Sequence, residues 1–135
     1  MATRSTISLK TEDGYNTIYC HWDGYPSHNG KLLQDHYNTQ ERVEELIALG
    51  SISSLRKHIK PVEGIPHTFE KPAEDITVVY YRDRQEGNEP IIVHHEELRT
   101  VYDEGEQYNY VFVDGIWCLI KNDNPGLVLC SDLYN

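Results

Sequence analysis

The sequence predicts a single α+β domain, residues 1–135, built on a mainly antiparallel sheet with two or three helices packed on one face. Three observations carry that expectation. Tyr108 to Ile120 forms two β-rich runs around Asp114-Gly115, the signature of a two-residue hairpin. Thr6 to Lys10 and Tyr15 to Trp22 form a second pair of runs around Glu12-Asp13-Gly14. Val43, Leu46, Ile47 and Leu49 recur at helical spacing ahead of Gly50. A chain of 135 residues buries one ordinary core and is too short for two.

In the opening hairpin Ile7 and Leu9 share one face. In its second strand Ile18, Cys20 and Trp22 point one way and Tyr19 and His21 the other. This places Cys20 in the core. Asp23-Gly24-Tyr25-Pro26 ends the strand, because glycine permits a reversed backbone and proline removes a ladder donor. Ser27 to Gly30 leads into a helix carrying Leu32, Leu33, His36 and Tyr37 on one face, with Asn29 and Gly30 as its caps. Asn38-Thr39-Gln40-Glu41 reads as a capping box with Asn38 as the cap, and Gly50 ends the helix that follows.

Ser51 to Ile59 is expected to form a short helical turn, with Arg56, Lys57, His58 and Lys60 as the one basic cluster. Lys60 to Asp75 holds Pro61, Gly64, Pro66 and Pro72 and reads as a long loop. Ile76 to Tyr81 predicts a strand, Asp83 to Glu89 a polar turn, Pro90 to Val93 a short strand and His94 to Tyr102 a short helix. In the Tyr108–Ile120 hairpin the register puts Val113 opposite Ile116, Phe112 opposite Trp117 and Tyr110 opposite Leu119. Both faces of this ribbon are apolar, which places it inside the sheet. Asn122 to Gly126 is a further turn and Leu127 to Cys130 a last strand.

The formal charge is −10. Residues 1–72 carry eight Lys or Arg against nine Asp or Glu, and residues 73–135 carry four against thirteen. Backbone binding to nucleic acid needs clustered cations, so this balance argues against direct nucleic-acid contact. Cys20, Cys118 and Cys130 are odd in number and form no C-x-x-C pair, which argues against a disulfide framework and fits a reduced, intracellular setting. Neither a signal peptide nor a membrane span is present in the sequence.

No P-loop, G-x-S-x-G or G-x-G-x-x-G occurs, and His94-His95-Glu96-Glu97 does not match H-E-x-x-H. Cys20, His21, Asp23 and His28 lack zinc spacings. The expectation is therefore no catalytic centre, no metal and no cofactor. Two sets of binding residues remain. One is an acidic surface of Glu74, Asp75, Asp83, Glu86, Glu89, Glu96, Glu97, Asp103, Glu104 and Glu106. The other is an aromatic and polar turn, Tyr19, His21, Trp22, Asp23, Tyr25 and His28, suited to stacking on a base. There Asn29 and Gly30 at a helix start, with Arg56 and Lys57, would accept phosphate. The competing assignment has Trp22 and Tyr25 filling the core.

Ile18-Tyr19-Cys20-His21-Trp22-Asp23-Gly24-Tyr25-Pro26, followed by His28-Asn29-Gly30-Lys31-Leu32-Leu33, resembles a family of small proteins carried by phages, prophages and other mobile elements. The resemblance covers roughly residues 5–60, and its Y-x-H-W-D-G-Y-P run is the distinctive part. It implies a setting in the cytoplasm of a bacterial host and carries no catalytic role. In size and charge the chain is similar to anti-CRISPR proteins. That setting, with the acidity of residues 73–135, leads to the expectation of a non-catalytic inhibitor whose acidic face blocks the nucleic-acid groove of a defence protein such as a CRISPR-associated effector. The alternative it leaves is a module that sequesters a signalling nucleotide at the turn between Tyr19 and Lys31.

Overall fold

Two sequence-local hairpins, joined edge to edge, form the centre of the sheet. The computed structural model describes residues 3–84, 89–97, 100–101, 107–120 and 127–129. Strand β1 (Ser5–Thr11) pairs antiparallel with β2 (Gly14–Cys20), Ile7 opposite Ile18. Strand β6 (Tyr108–Val113) pairs antiparallel with β7 (Ile116–Ile120) around Asp114-Gly115. The register is Val113 with Ile116, Phe112 with Trp117 and Tyr110 with Leu119, as the alternation predicts. Asp114 and Gly115 have φ of 52° and 79°, the pair of positive angles that a type I′ turn requires.

Shorter strands extend this centre: β3 (Ile52–Ser54), β4 (Val78–Val79), β5 (Val93–His95) and β8 (Leu127–Leu129). The order is β4-β3-β2-β1-β6-β7-β8, with β5 also on β2. β1–β6 and β2–β3 run parallel and the other pairs antiparallel, so the sheet is mixed with antiparallel pairing prevailing. The fold is α+β and a single small domain.

Helices α1 (Lys31–His36) and α2 (Gln40–Ala48) cover one face. Leu33, Tyr37, Val43, Leu46 and Ile47 pack there with Ile7, Leu9, Ile18, Tyr110, Phe112 and Trp117 in the main core. Burying one such aliphatic side chain contributes about 1.5–3 kcal/mol. Tyr37, fully buried, ties three parts together. Its hydroxyl donates to the Arg56 carbonyl at 2.6 Å, its carbonyl accepts the Trp117 indole N–H at 2.7 Å, and the Arg42 guanidinium lies 4.7 Å above its ring. The opposite face carries a smaller cluster, Val101, Val111 and Ile120, beside a buried polar stripe. In that stripe Thr6 donates to Asn109 at 2.6 Å, and the Ser8 and Thr17 hydroxyls lie 2.7 Å apart.

Several expectations are corrected. The cap of α2 is Thr39, whose hydroxyl accepts the Arg42 N–H at 3.2 Å, while Asn38 turns back to the Gln34 carbonyl. Within Ser51 to Ile59 the expected helical turn is replaced by strand β3 (Ile52–Ser54), because β2 leaves an unpaired edge at Cys20 that Ile52 completes. The Ile76–Tyr81 run yields only β4 before turning into α3 (Tyr80–Asp83) at the sheet edge, and α3 buries no residue in the core. His94 and His95 belong to β5, not to a helix start.

Gly50 closes α2 with φ of 78°, and a Cβ there would lie 2.6 Å from the Ile91 nitrogen. Gly115 has a similar φ and open space around it. Gly115→Ala is therefore expected to cost only the left-handed penalty, ~1 kcal/mol, and Gly50→Ala at least ~3 kcal/mol. Urea unfolding of the two variants measures the difference.

Candidate functional site

The turn after β2 is fixed by its backbone. The His21 and Trp22 N–H groups donate to the carbonyls of Ile52 and Ser53, which continues the β3 pairing past Cys20. Asp23 then reverses the chain with φ of 55°, a conformation that a short polar side chain tolerates. The Gly24 N–H donates to the Thr3 carbonyl at 2.8 Å, and its own carbonyl accepts the buried Tyr110 hydroxyl at 2.6 Å. A Cβ at Gly24 would meet Ser5 Cβ at 2.8 Å, so the close approach requires glycine. Pro26 opens a single π-helical turn, Pro26–Gly30, that runs directly into α1.

The side chains carried by this rigid turn face outward. Trp22 is 43% exposed and Tyr25 38%. The assignment of both to the core is corrected: alternation along β2 sends Trp22 to the core side, but at the end of the strand its ring is only partly covered. The His21 ring stands edge-on to Trp22 with centroids 4.7 Å apart, and its Nδ1 lies 2.7 Å from the Tyr19 hydroxyl. Tyr25 donates to Asp23 at 3.2 Å and packs edge-on to His28, centroids 6.0 Å apart. The Asp23 charge, followed by burial and the hydrogen bond, raises the Tyr25 hydroxyl above its ordinary pKa, so it stays protonated as a donor. Tyr19, His21 and Trp22 thus form one partly exposed group of rings, and Asp23, Tyr25 and His28 a second group beside it in sequence.

Asn29 and Gly30 join neither group. Both are buried, and the helical backbone is continuous from Pro26, so neither caps an open helix start. The Asn29 amide donates to Ser5 Oγ and Cys20 Sγ, each at 3.3 Å, and its oxygen accepts from His28 Nδ1 at 2.9 Å. Burial pushes the Cys20 thiol up to about 11 despite these bonds, so it remains a thiol at neutral pH. Burial likewise raises Cys118. The backbones of Arg56 and Lys57 are bonded to Tyr37, Thr77 and Arg42, away from the Asn29 amide.

The acidic set divides in three. Glu74, Asp75, Glu89, Glu96 and Glu97 are exposed. Glu86, Asp103, Glu104 and Glu106 lie outside the described residues. Asp83 is corrected: its side chain is 4% exposed and lies at the centre of a buried network. It accepts from His67 Nε2 at 3.0 Å, from the Val79 N–H at 2.8 Å and from Arg82 Nε at 2.8 Å. Arg82 also donates to the carbonyls of Ile59 and Thr77. His67, 1% exposed, accepts the Ala73 N–H on Nδ1 at 2.9 Å, which fixes the proton on Nε2. Both ring nitrogens are occupied, so this pair staples the 60–75 loop to β4 and has no nitrogen left to act as a base. Nothing in the sequence marks the pairing, because the partners stand sixteen positions apart in a loop without periodicity.

Among the described residues no group of three or more His, Cys, Asp or Glu side chains converges as metal ligands would, and no helix is long and apolar enough to cross a membrane. No family model, curated protein or solved structure matches this chain.

Burial pushes the Asp83 carboxyl upward, but the bonds from Arg82, Val79 and His67 outweigh it and hold the group below its ordinary pKa. A depressed carboxylate stabilises the fold above its unfolded pKa and loses that contribution as pH falls through the folded one. Stability is therefore expected to decline from about pH 4 downward. Asp83→Ala, which leaves His67 and Arg82 unpaired, should cost roughly 3 kcal/mol at neutral pH and flatten the acid limb. Urea denaturation across pH reads both effects.

Proposed function

We propose that the chain is a non-catalytic anti-defence protein of a phage or mobile element, which inhibits a bacterial defence protein by offering an acidic surface to its nucleic-acid groove. The observation that supports this reading most is the state of the charges between residues 60 and 97. Glu74, Asp75, Glu89, Glu96 and Glu97 are exposed, and none is ion-paired among the described residues. The first cation after Glu74 and Asp75 in the chain, Arg82, is held internally by Asp83, while Lys71 before them is exposed. A surface of unpaired carboxylates competes with phosphates for basic grooves and gains most at low ionic strength. The test is co-expression with an RNA-guided effector in a phage-challenged host, together with effector binding in vitro. Plating of the targeted phage should recover, and effector binding should weaken at least about tenfold between about 0.05 and 0.5 M salt. Glu96→Lys with Glu97→Lys should abolish the effect; a salt-insensitive complex unaffected by these changes rejects the acidic surface.

A second reading rests on the exposure of Trp22 and Tyr25. In it the turn sequesters a signalling nucleotide by stacking, with Asp23 and His28 meeting the base edge. Because Asn29 and Gly30 are buried and offer no open helix start, the affinity would come from the base. Stacking of this kind contributes about 1–3 kcal/mol per base. Trp22→Ala should then remove the thermal shift given by a cyclic dinucleotide, while the unliganded stability changes by less than ~0.5 kcal/mol. A thermal-shift panel of cyclic and linear nucleotides with no response in the parent chain rejects this reading.

A further inference from the structure

A second surface lies on the sheet, at the outer edge of β5. Strand β5 pairs with the first half of β2: Thr17 faces Val93, Asn16 faces His94 and Tyr15 faces His95. The Tyr19 N–H points away from β1 and is taken by Ser51 Oγ, so by alternation the backbones of Tyr15 and Thr17 also point toward β5. Val93 and His95 therefore direct their backbone groups inward. Ile91 does the same, its carbonyl accepting from the Ser51 N–H at 3.0 Å and from Ser51 Oγ at 3.2 Å. The intervening residues, Ile92 and His94, turn their N–H and C=O away from the sheet. No strand pairs with that side among the described residues.

Native edges are usually guarded by charge along the strand. Here Ile91, Ile92 and Val93 are consecutive, β-branched and 54%, 41% and 44% exposed. Beside Ile92, a cleft of about 400 Å³ opens between the β1–β2 hairpin and α2, with Leu9, Ile47, Ala48 and Glu44 in its walls. A strand added outside β5 directs alternate side chains to that side of the sheet, so main-chain bonds and a side-chain cleft occur together.

Charge selects the occupant. Glu89 precedes the apolar triplet, and Glu96 and Glu97 follow it, all exposed. An antiparallel second copy would bring Glu89 of one chain against Glu96 and Glu97 of the other, within a molecule of net charge −10. Like charge at both ends disfavours self-pairing and favours an extended segment with basic ends. We infer that the outer edge of β5 is a β-augmentation site for an extended partner segment whose apolar centre is flanked by Lys or Arg. This goes beyond the anti-defence reading and does not require it.

The test uses the full chain and labelled eight-residue peptides of alternating valine and threonine, one set ended by lysines and one by glutamates. The lysine-ended peptide should bind at least about tenfold tighter at low salt, and hydrogen exchange at the Ile92 and His94 amides should slow on binding. Ile92→Pro removes an outward N–H and should weaken binding at least about tenfold with thermal unfolding unchanged. Ile92→Lys, which keeps the backbone and adds repulsion to the basic ends, should do the same if the proline variant fails to fold. No binding of either peptide, equal binding of both, or protection confined to other amides overturns the proposal. Concentration-dependent dimerisation that protects Ile92 and His94 also overturns it, because the occupant is then a second copy. Peptide binding is read on the isolated protein, so this result and the phage-plating result succeed or fail separately.

Discussion

The parallel seam between β1 and β6 is the constraint on which the rest of this fold depends. Each hairpin forms from neighbouring residues, but the seam joins Ser5–Leu9 to Tyr108–Phe112 across about a hundred positions of chain. Until it closes, each hairpin has an edge without its partner, and closing it carries the entropy of a long loop. Once closed, it aligns Ile7 with Tyr110 and Leu9 with Phe112 under the helices, and Thr6 with Asn109 on the other side. The seam also sets the aromatic turn, because Tyr110 in β6 is the residue whose hydroxyl holds the Gly24 carbonyl. A residue eighty-six positions away thus fixes the backbone that presents Trp22 and Tyr25.

Both hairpins and α2 are legible in the sequence because each is specified locally. Asp114-Gly115 dictates positive φ and thereby the register of β6 and β7, and the 3.6 period of Val43, Leu46 and Ile47 meets a face that needs covering. What is not legible depends on partners distant in sequence. Ile52–Ser54 becomes a strand because β2 supplies an edge at Cys20, overriding local helical character. Asp83 reads as a surface carboxylate by residue type, and only the fold brings His67 and Arg82 around it. For Trp22, period-2 alternation gives a direction but cannot say whether any atoms lie in that direction to cover the ring.

The site is legible in composition and only partly in role. Tyr19, His21 and Trp22 touch one another in turn, as do Asp23, Tyr25 and His28. Asn29 breaks from its neighbours because a continuous helical turn from Pro26 carries it inward onto Ser5 and Cys20. There its own amide finds the partners that a buried polar group requires. The same local chemistry holds Cys20 as a thiol, and the Ala73 and Asp83 bonds fix the His67 tautomer. Among the described residues, Cys20 and His67 are thus committed to structural bonds.

Recognition by such a surface depends on how much order binding must create. Trp22 and Tyr25 stand on a backbone held by Thr3, Ile52, Ser53 and Tyr110, and Ile91–Val93 on one held by Ser51 and pressed against Gly50. In both places the main chain is fixed before any partner arrives, while the apolar side chains are left partly in water. Ordering a side chain on binding costs about 0.5–1.5 kcal/mol, and ordering its backbone as well would add about 1–2 kcal/mol per residue. Fixing the backbone in advance removes the larger of these costs. The 60–75 loop follows the same logic: it gives the core no side chain, yet its middle is anchored by a fully hydrogen-bonded His67.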